Sequence, residues 1–367
     1  MRPPPGTAEV AAFLLWTQWI WQAVLRGGPG VAINLDESAL SRGMAPRRGH
    51  CAGHARAAAR QRYARITLRE ARGHMTYVAA IASDATVQAA LPQFVLGHEK
   101  RFTKADRAAL RRLEAPVISF PGTKGWVTSE NFCKILTRIQ RAAALARPGL
   151  PIVLYMDCAP QHLSRRVLAH ILRLQLCVVL VPGSLTWLLQ PLDKHVFQRL
   201  KGALSHAQTA ARAAAPSGAL PPGLWIDLAG RAIAARVVAP MWENVMRANG
   251  LMGPGVMLRE RIGDILGTQL PLPLRPPTAA ELATLCGRSS AGLHERMLRA
   301  PLRLLAARAA REAARPARAG PPVADRWPPA RPGATAAVAG AAAAVAGGAG
   351  AASDALPPRR TRSGALY

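Results

Sequence analysis

Two runs that are apolar at every position, Ile152–Met156 and Cys177–Val181, limit the fold more than any other feature of the chain. Strands of that kind are buried on both faces, as parallel strands in α/β sheets are. Between them, Leu163–Leu174 has apolar residues at helical spacing and leaves Arg165, Arg166 and Arg173 to solvent. Upstream, Val31–Leu35 reads as a short strand ending in Asp36-Glu37. Tyr63–Leu68 and His74–Ser83 read as two arms of a hairpin turning at Arg72-Gly73, and Gln93–Leu96 as a further strand. Thr128-Ser129-Glu130 caps a helix that runs to about Leu145. From Lys194 a basic helix continues to about Ala214, and Trp225–Gly253 is largely helical with a break at Pro240. Three antiparallel strands followed by two alternating strand–helix units give an α/β sheet of mixed direction.

The acids are sparse where the elements turn over. Between Val117 and Ile226 they are Glu130, Asp157 and Asp193 alone. Asp157 closes a strand and Asp193 opens a helix. An isolated Asp at a helix start is commonly a cap. Two lone carboxylates at such junctions, in so basic a stretch, suit the holding of a metal ion.

With 367 residues the chain is long enough for one large domain or two small ones. A formal charge of +28 points to a polyanionic partner, nucleic acid first. Only six of the 48 basic residues are Lys, so part of that charge reflects an Arg-, Ala-, Gly- and Pro-rich compositional bias. Cys51, Cys133, Cys158, Cys177 and Cys286 are scattered and odd in number, which fits a reducing compartment. His50, Cys51 and His54 cluster by chance rather than at zinc-finger spacing. The apolar run Val10–Leu25 is 16 residues long and broken by Gln18 and Gln22, short of the ~20 a membrane span needs. It is expected to pack on the core as a helix, and no membrane partner is expected. From about residue 266 to 367 the Ala/Pro/Arg-rich composition predicts a largely disordered tail.

Three blocks carry a resemblance to a known family: NLDESAL (34–40), LYMDCAPQHL (154–163) and VPGSLTWLLQPLDKHVF (181–197). They resemble the signature blocks of the DDE superfamily of transposase-derived endonucleases, in its pogo, jerky and centromere protein B branch. MTYVAAIASDATVQAALPQFVLG, KGWVTSENFCKIL and MWENVMRANGL are similar to the family's intervening segments, so the likeness runs over roughly residues 30 to 252. It implies a ribonuclease H-like mixed sheet flanked by helices, with residues 1–29 a lead-in helix and residues 30–265 the endonuclease domain. It implies Asp36, Asp157 and Asp193 as the catalytic and metal-binding triad, with Mg2+ (or Mn2+) as cofactor and DNA as partner. The implied reaction is two-metal phosphodiester cleavage and strand transfer in the nucleus, by a transposable-element enzyme for which a homodimer is an open assembly.

Asn34 and Glu37 are supporting candidates, Glu37 being expected to point away from Asp36 because neighbours on a strand alternate faces. Cys158, Gln161 and Lys194-His195 replace the family's Asn, Ser and Gln-Gly. Lys194 is expected to pair with Asp193 or meet a phosphate. His162 keeps its family position. Only 35 residues precede Asp36, and they lack a basic recognition helix, so the chain is expected to resemble a catalytic domain without its sequence-reading module. The alternative reading is a domesticated, non-catalytic DNA-binding or chromatin protein.

Overall fold

The computed structural model describes residues 7–42, 74–98, 102–113, 116–122, 125, 127–216, 219–221, 223–252, 258, 260–266, 275–286 and 292–313. Its strands are β1 (Val31–Ser41), β2 (His74–Ala82), β3 (Gln93–His98), β4 (Val117–Gly122), β5 (Ile152–Asp157) and β6 (Cys177–Val181). They form one six-stranded sheet in the order β4-β3-β2-β1-β5-β6. β2 runs antiparallel to both β1 and β3, while β5 is parallel to β1 and β6, and β4 is parallel to β3. This is the mixed α/β sheet flanked by helices that the motifs imply, consistent with a ribonuclease H-like arrangement.

The two apolar runs behave as expected: all of Cys177–Val181 and all of β5 before Asp157 are buried. Their burial is the main driving force available to this sheet, at about 25 cal/mol per Å² of apolar surface. The Trp-rich N-terminal segment forms a helix, Thr7–Gln18, continued by a π-helical turn, Trp19–Val24. Phe13, Leu14, Trp16 and Ile20 are buried in the common core. Trp21 Nε1 donates to Tyr155 Oη (2.9 Å) and to the Leu251 carbonyl (3.0 Å), so the segment is pinned to β5 by polar contacts as well. Among the described residues no helix is long and apolar enough to cross a membrane.

Several expectations need correcting. β1 does not end at Asp36-Glu37 but runs on to Ser41, because Glu37–Ser41 find antiparallel partners in Val78–His74. Asp36 therefore sits inside a strand. The partners of β2 are β1 and β3, whereas the expected hairpin arm Tyr63–Leu68 lies outside the described residues, as do His50, Cys51 and His54. The sheet also has an unanticipated edge strand, β4, whose VISFPG sequence offers little alternation and closes in Pro-Gly. Helices Ala85–Ala90 and Lys104–Arg112 were likewise not foreseen.

Nor is everything past residue 266 a tail. Ala279–Cys286 and Leu293–Ala313 are helices that pack against β6, burying Leu282, Leu285, Leu293, Met297 and Leu298. Local composition understated them because their apolar faces become useful only against a sheet already formed.

Candidate active site

The sheet register brings the first two acids together. The β1–β5 ladder pairs Val31 with Ile152 and ends at Asn34 with Tyr155. Two residues beyond the end of that ladder come Asp36 on β1 and Asp157 on β5, and the charge of Asp157 acts on Asp36. Register partners on parallel strands share a face, and neighbouring strands are about 4.8 Å apart.

The third acid arrives on a loop stapled to the same strand. After β6, the helix Thr186–Leu189 leads into a π-helical turn, Leu192–Val196, that carries Asp193. Asn34 Oδ1 accepts from the Leu192 N–H (3.1 Å) while Asn34 Nδ2 donates to the Tyr155 carbonyl (3.2 Å). Gln190 Nε2 donates to the Leu35 carbonyl (3.2 Å). Asn34 and Gln190 are fully buried, so these two amides fix Asp193 relative to β1 and β5. Asn34→Ala leaves the buried Leu192 N–H without its acceptor and is expected to cost about 2 kcal/mol of stability. Urea unfolding checks this; a cost below ~0.5 kcal/mol would show that the staple is not made.

The electrostatics register this convergence at Asp36. Its carboxyl is held well above the usual carboxylate range, first by burial and next by the negative charge of Asp193, with Asp157 and Glu37 adding to it. The Glu37 N–H, 2.7 Å from Asp36 Oδ1, works the other way. Two acids remote in sequence, Asp157 and Asp193, thus act on one side chain together with its neighbour Glu37.

His162 was assigned no definite role from sequence, and the structure gives it a central one. Its ring is 2% exposed and stacks on Phe132 with centroids 4.1 Å apart. Nδ1 lies 2.6 Å from Asp157 Oδ1 and Nε2 lies 3.0 Å from Glu37 Oε1. Burial alone would lower its pKa, but the two carboxylates outweigh burial and raise it to about 9. At neutral pH the ring is an imidazolium donating to both acids. Burial likewise pushes the Asp157 carboxyl up, yet His162 and the Ala159 N–H pull it below its ordinary value. Glu37, expected to point away, is therefore joined to Asp157 through His162. A long side chain at the next strand position reaches round to the ring, which the alternation of faces by itself does not forbid.

The remaining departures are placed as well. Cys158 Sγ lies within hydrogen-bonding reach of the Val181 (3.4 Å) and Leu285 (3.6 Å) carbonyls. Among the described residues Lys194 makes no ion pair with Asp193; both are exposed.

Asp36, Asp157 and Asp193 offer carboxylate oxygens alone, the donor set that suits Mg2+ or Mn2+. Asp157 Oδ1 is taken up by His162 and the Ala159 N–H (3.1 Å), which turns Oδ2 into the donor available to an ion. Among the described residues no three His, Cys, Asp or Glu side chains are arranged as they stand to enclose an ion. Mg2+ does not require such a cage, since it keeps several waters and is commonly held by one or two carboxylates with substrate phosphates. The donor chemistry alone suits such an ion.

Residues 75–225 match the family described as DDE superfamily endonuclease. That span takes in Asp157 and Asp193 and begins after Asp36. No curated protein shows a significant match. Among solved structures, the chain is similar to the Mos1 transposase paired-end complex with left transposon end, at 14% identity and a TM-score of 0.36, over 69% of this chain and 66% of that one. It is similar also to the Mos1 mariner paired-end complex with Mn, at 14% identity and a TM-score of 0.35, over 68% and 65%. The chain thus spans just under two thirds of the length of those chains. The family match thus makes residues 75–225 of this chain similar to the DDE superfamily endonuclease domain.

Proposed function

We propose that the protein is a transposase-derived endonuclease that cuts DNA phosphodiester bonds with a divalent cation and passes the freed 3′ end to a second strand. The observation that carries this reading is the convergence of Asp193 and Asp157 on the half-buried Asp36. Asp36, Asp157 and Asp193 would hold Mg2+ (or Mn2+). A bound divalent cation supplies Lewis-acid activation of the attacking oxygen and relief of charge on the leaving one.

The chain's own residues do the rest. His162 orients Asp157 by occupying Oδ1, and Asn34 and Gln190 set the position of the Asp193 turn. The chain's formal charge of +28 favours DNA through counterion release. The nucleus is where a chromosomal substrate would be met.

The second reading is a DNA-binding protein that no longer cuts. It is favoured by the absence, among the described residues, of a ready-made three-ligand cluster, and by His162 supplying positive charge between Asp157 and Glu37. Nicking of supercoiled plasmid separates the two. The endonuclease is expected to convert it to open circles with Mg2+ or Mn2+ and to stop when the cation is chelated. Folded protein that binds DNA but leaves the plasmid intact under both cations supports the second reading.

A further inference from the structure

The helix Arg165–Arg173 buries Val167, Leu168 and Ile171 and turns Arg166 and Arg173 outward. Both line a cleft of about 470 Å³ against the helix Ser129–Ala146, with Glu130, Lys134, Thr137 and His170 completing its wall. Its charge balance is uneven: Glu130 is paired with Lys134 at 2.9 Å, and among the described residues neither Arg166 nor Arg173 makes an ion pair.

What sets this cleft apart from an ordinary basic surface is how Arg173 is held. Thr137 Oγ1 donates to the Cys133 carbonyl (3.0 Å), so its lone pair accepts from His170 Nε2 (2.8 Å). The proton is thereby on Nε2, and Nδ1 accepts from Arg173 Nη2 at 2.5 Å. Burial, then the charges of Arg173 and Arg166, lower the His170 pKa and keep the ring neutral. Arg173 is fixed in direction by a partner that does not cancel its charge. Arg166 acts on the same space, since its charge reaches Glu130, Cys133 and His170. Two guanidinium groups, one pre-positioned and both uncompensated, match the tetrahedral oxygens of a phosphate group, which guanidinium recognises in a forked geometry.

We propose that this cleft is a phosphate-binding site, and that the phosphate it takes is in the backbone of nucleic acid leading to the carboxylates. The proposal deepens the DNA reading above and rests on it. The placement supports the source. Ser129, at the start of one wall, donates to the carbonyl of Gln161, next to His162 (3.4 Å). The other wall begins eight residues after Asp157.

The test uses the full chain without divalent cation and follows binding of a short fluorescent duplex as NaCl is varied. Arg166→Gln/Arg173→Gln is expected to weaken binding by on the order of 10-fold or more and to lower the slope of log K against log salt by about 2. Arg138→Gln/Arg141→Gln, the same charge change on the other cleft along this helix, is expected to do much less. Arg166→Gln alone leaves the His170–Arg173 bond in place and should lose about half the slope change; thermal unfolding verifies folding in each variant.

A second arm titrates wild type and double variant with inorganic phosphate and with dAMP. Phosphate binding that the double variant loses while its DNA slope stays at the wild-type value overturns the backbone assignment. No difference in either arm overturns the site. Wild-type protein that binds DNA as expected yet does not nick removes the endonuclease reading and leaves this cleft standing. Nicking by a protein whose double variant keeps the full slope does the reverse.

Discussion

Asp157→Asn is expected to lower cation-dependent nicking by on the order of 10³-fold, in keeping with the loss of a group that acts on transition-state charge. The amide keeps the shape of the carboxylate, and its Oδ1 can still accept from His162, so the fold around it is retained. DNA affinity should stay the same or rise slightly, because one negative charge near the backbone is gone. That separation of cutting from binding is the signature to measure, by plasmid nicking and by duplex binding on one preparation. Glu243→Gln is the matched control, since Glu243 is exposed, paired with Arg247 and outside both the carboxylate group and the proposed phosphate cleft. Equal nicking by Asp157→Asn and wild type would take Asp157 out of the chemistry.

The largest expected effect on stability lies elsewhere, at Asp106. This side chain is 2% exposed and accepts four hydrogen bonds. Oδ2 takes the Thr103 N–H (2.9 Å) and Thr103 Oγ1 (2.7 Å), closing a capping box on the helix Lys104–Arg112. Oδ1 takes the Gly223 N–H (3.0 Å) and Trp225 Nε1 (2.8 Å). The chain comes this close only because residue 223 is glycine: its φ is +82°, and a Cβ there would sit 3.0 Å from the Ala105 carbonyl oxygen.

Asp106→Ala strands the indole N–H of the fully buried Trp225 and the Gly223 N–H together, and removes the cap. The expected loss is about 3 kcal/mol. For a domain of this size that lowers Tm by about 6–12 °C. Calorimetry showing a shift under ~2 °C would mean that water or another group replaces the carboxylate.

The same residue gives a pH dependence with a definite sign. Burial pushes the Asp106 carboxyl up, but hydrogen bonds from Thr103, Trp225 and Gly223 outweigh it, and the net shift is downward. A carboxyl whose folded pKa lies below its unfolded value of about 3.9 stabilises fully above that value. The contribution fades as pH falls through the folded pKa. The stability gap between wild type and Asp106→Ala should therefore be constant near neutrality and narrow below about pH 4.

Much of the site was legible because its parts are local. An apolar run ending in Asp157 and the LLQPLD segment carrying Asp193 each declare a junction by composition alone. Gln190 lies inside the second of these and Asn34 opens the NLDESAL block, yet their roles could not be read from the motifs. Their partners, Leu192 with Tyr155 and Leu35, are more than a hundred residues away. Glu37 was misjudged for a similar reason. Strand alternation fixes where a Cβ points, not how far a glutamate reaches toward a ring supplied by another loop. The helices Ala279–Cys286 and Leu293–Ala313 are not legible in the sequence because a weakly amphipathic, Ala-rich segment has little helical stability of its own.

The sequence by itself determined the α/β character, the two doubly buried strands and the acids worth watching, since these follow from period and composition at short range. Only the tertiary structure decided that Asp157 comes within electrostatic reach of Asp36, that buried amides hold the Asp193 turn against β1, and that His162 links Asp157 to Glu37. Those facts depend on strand register and on hydrogen bonds between distant segments, which are settled when buried polar groups must find partners in the packed core.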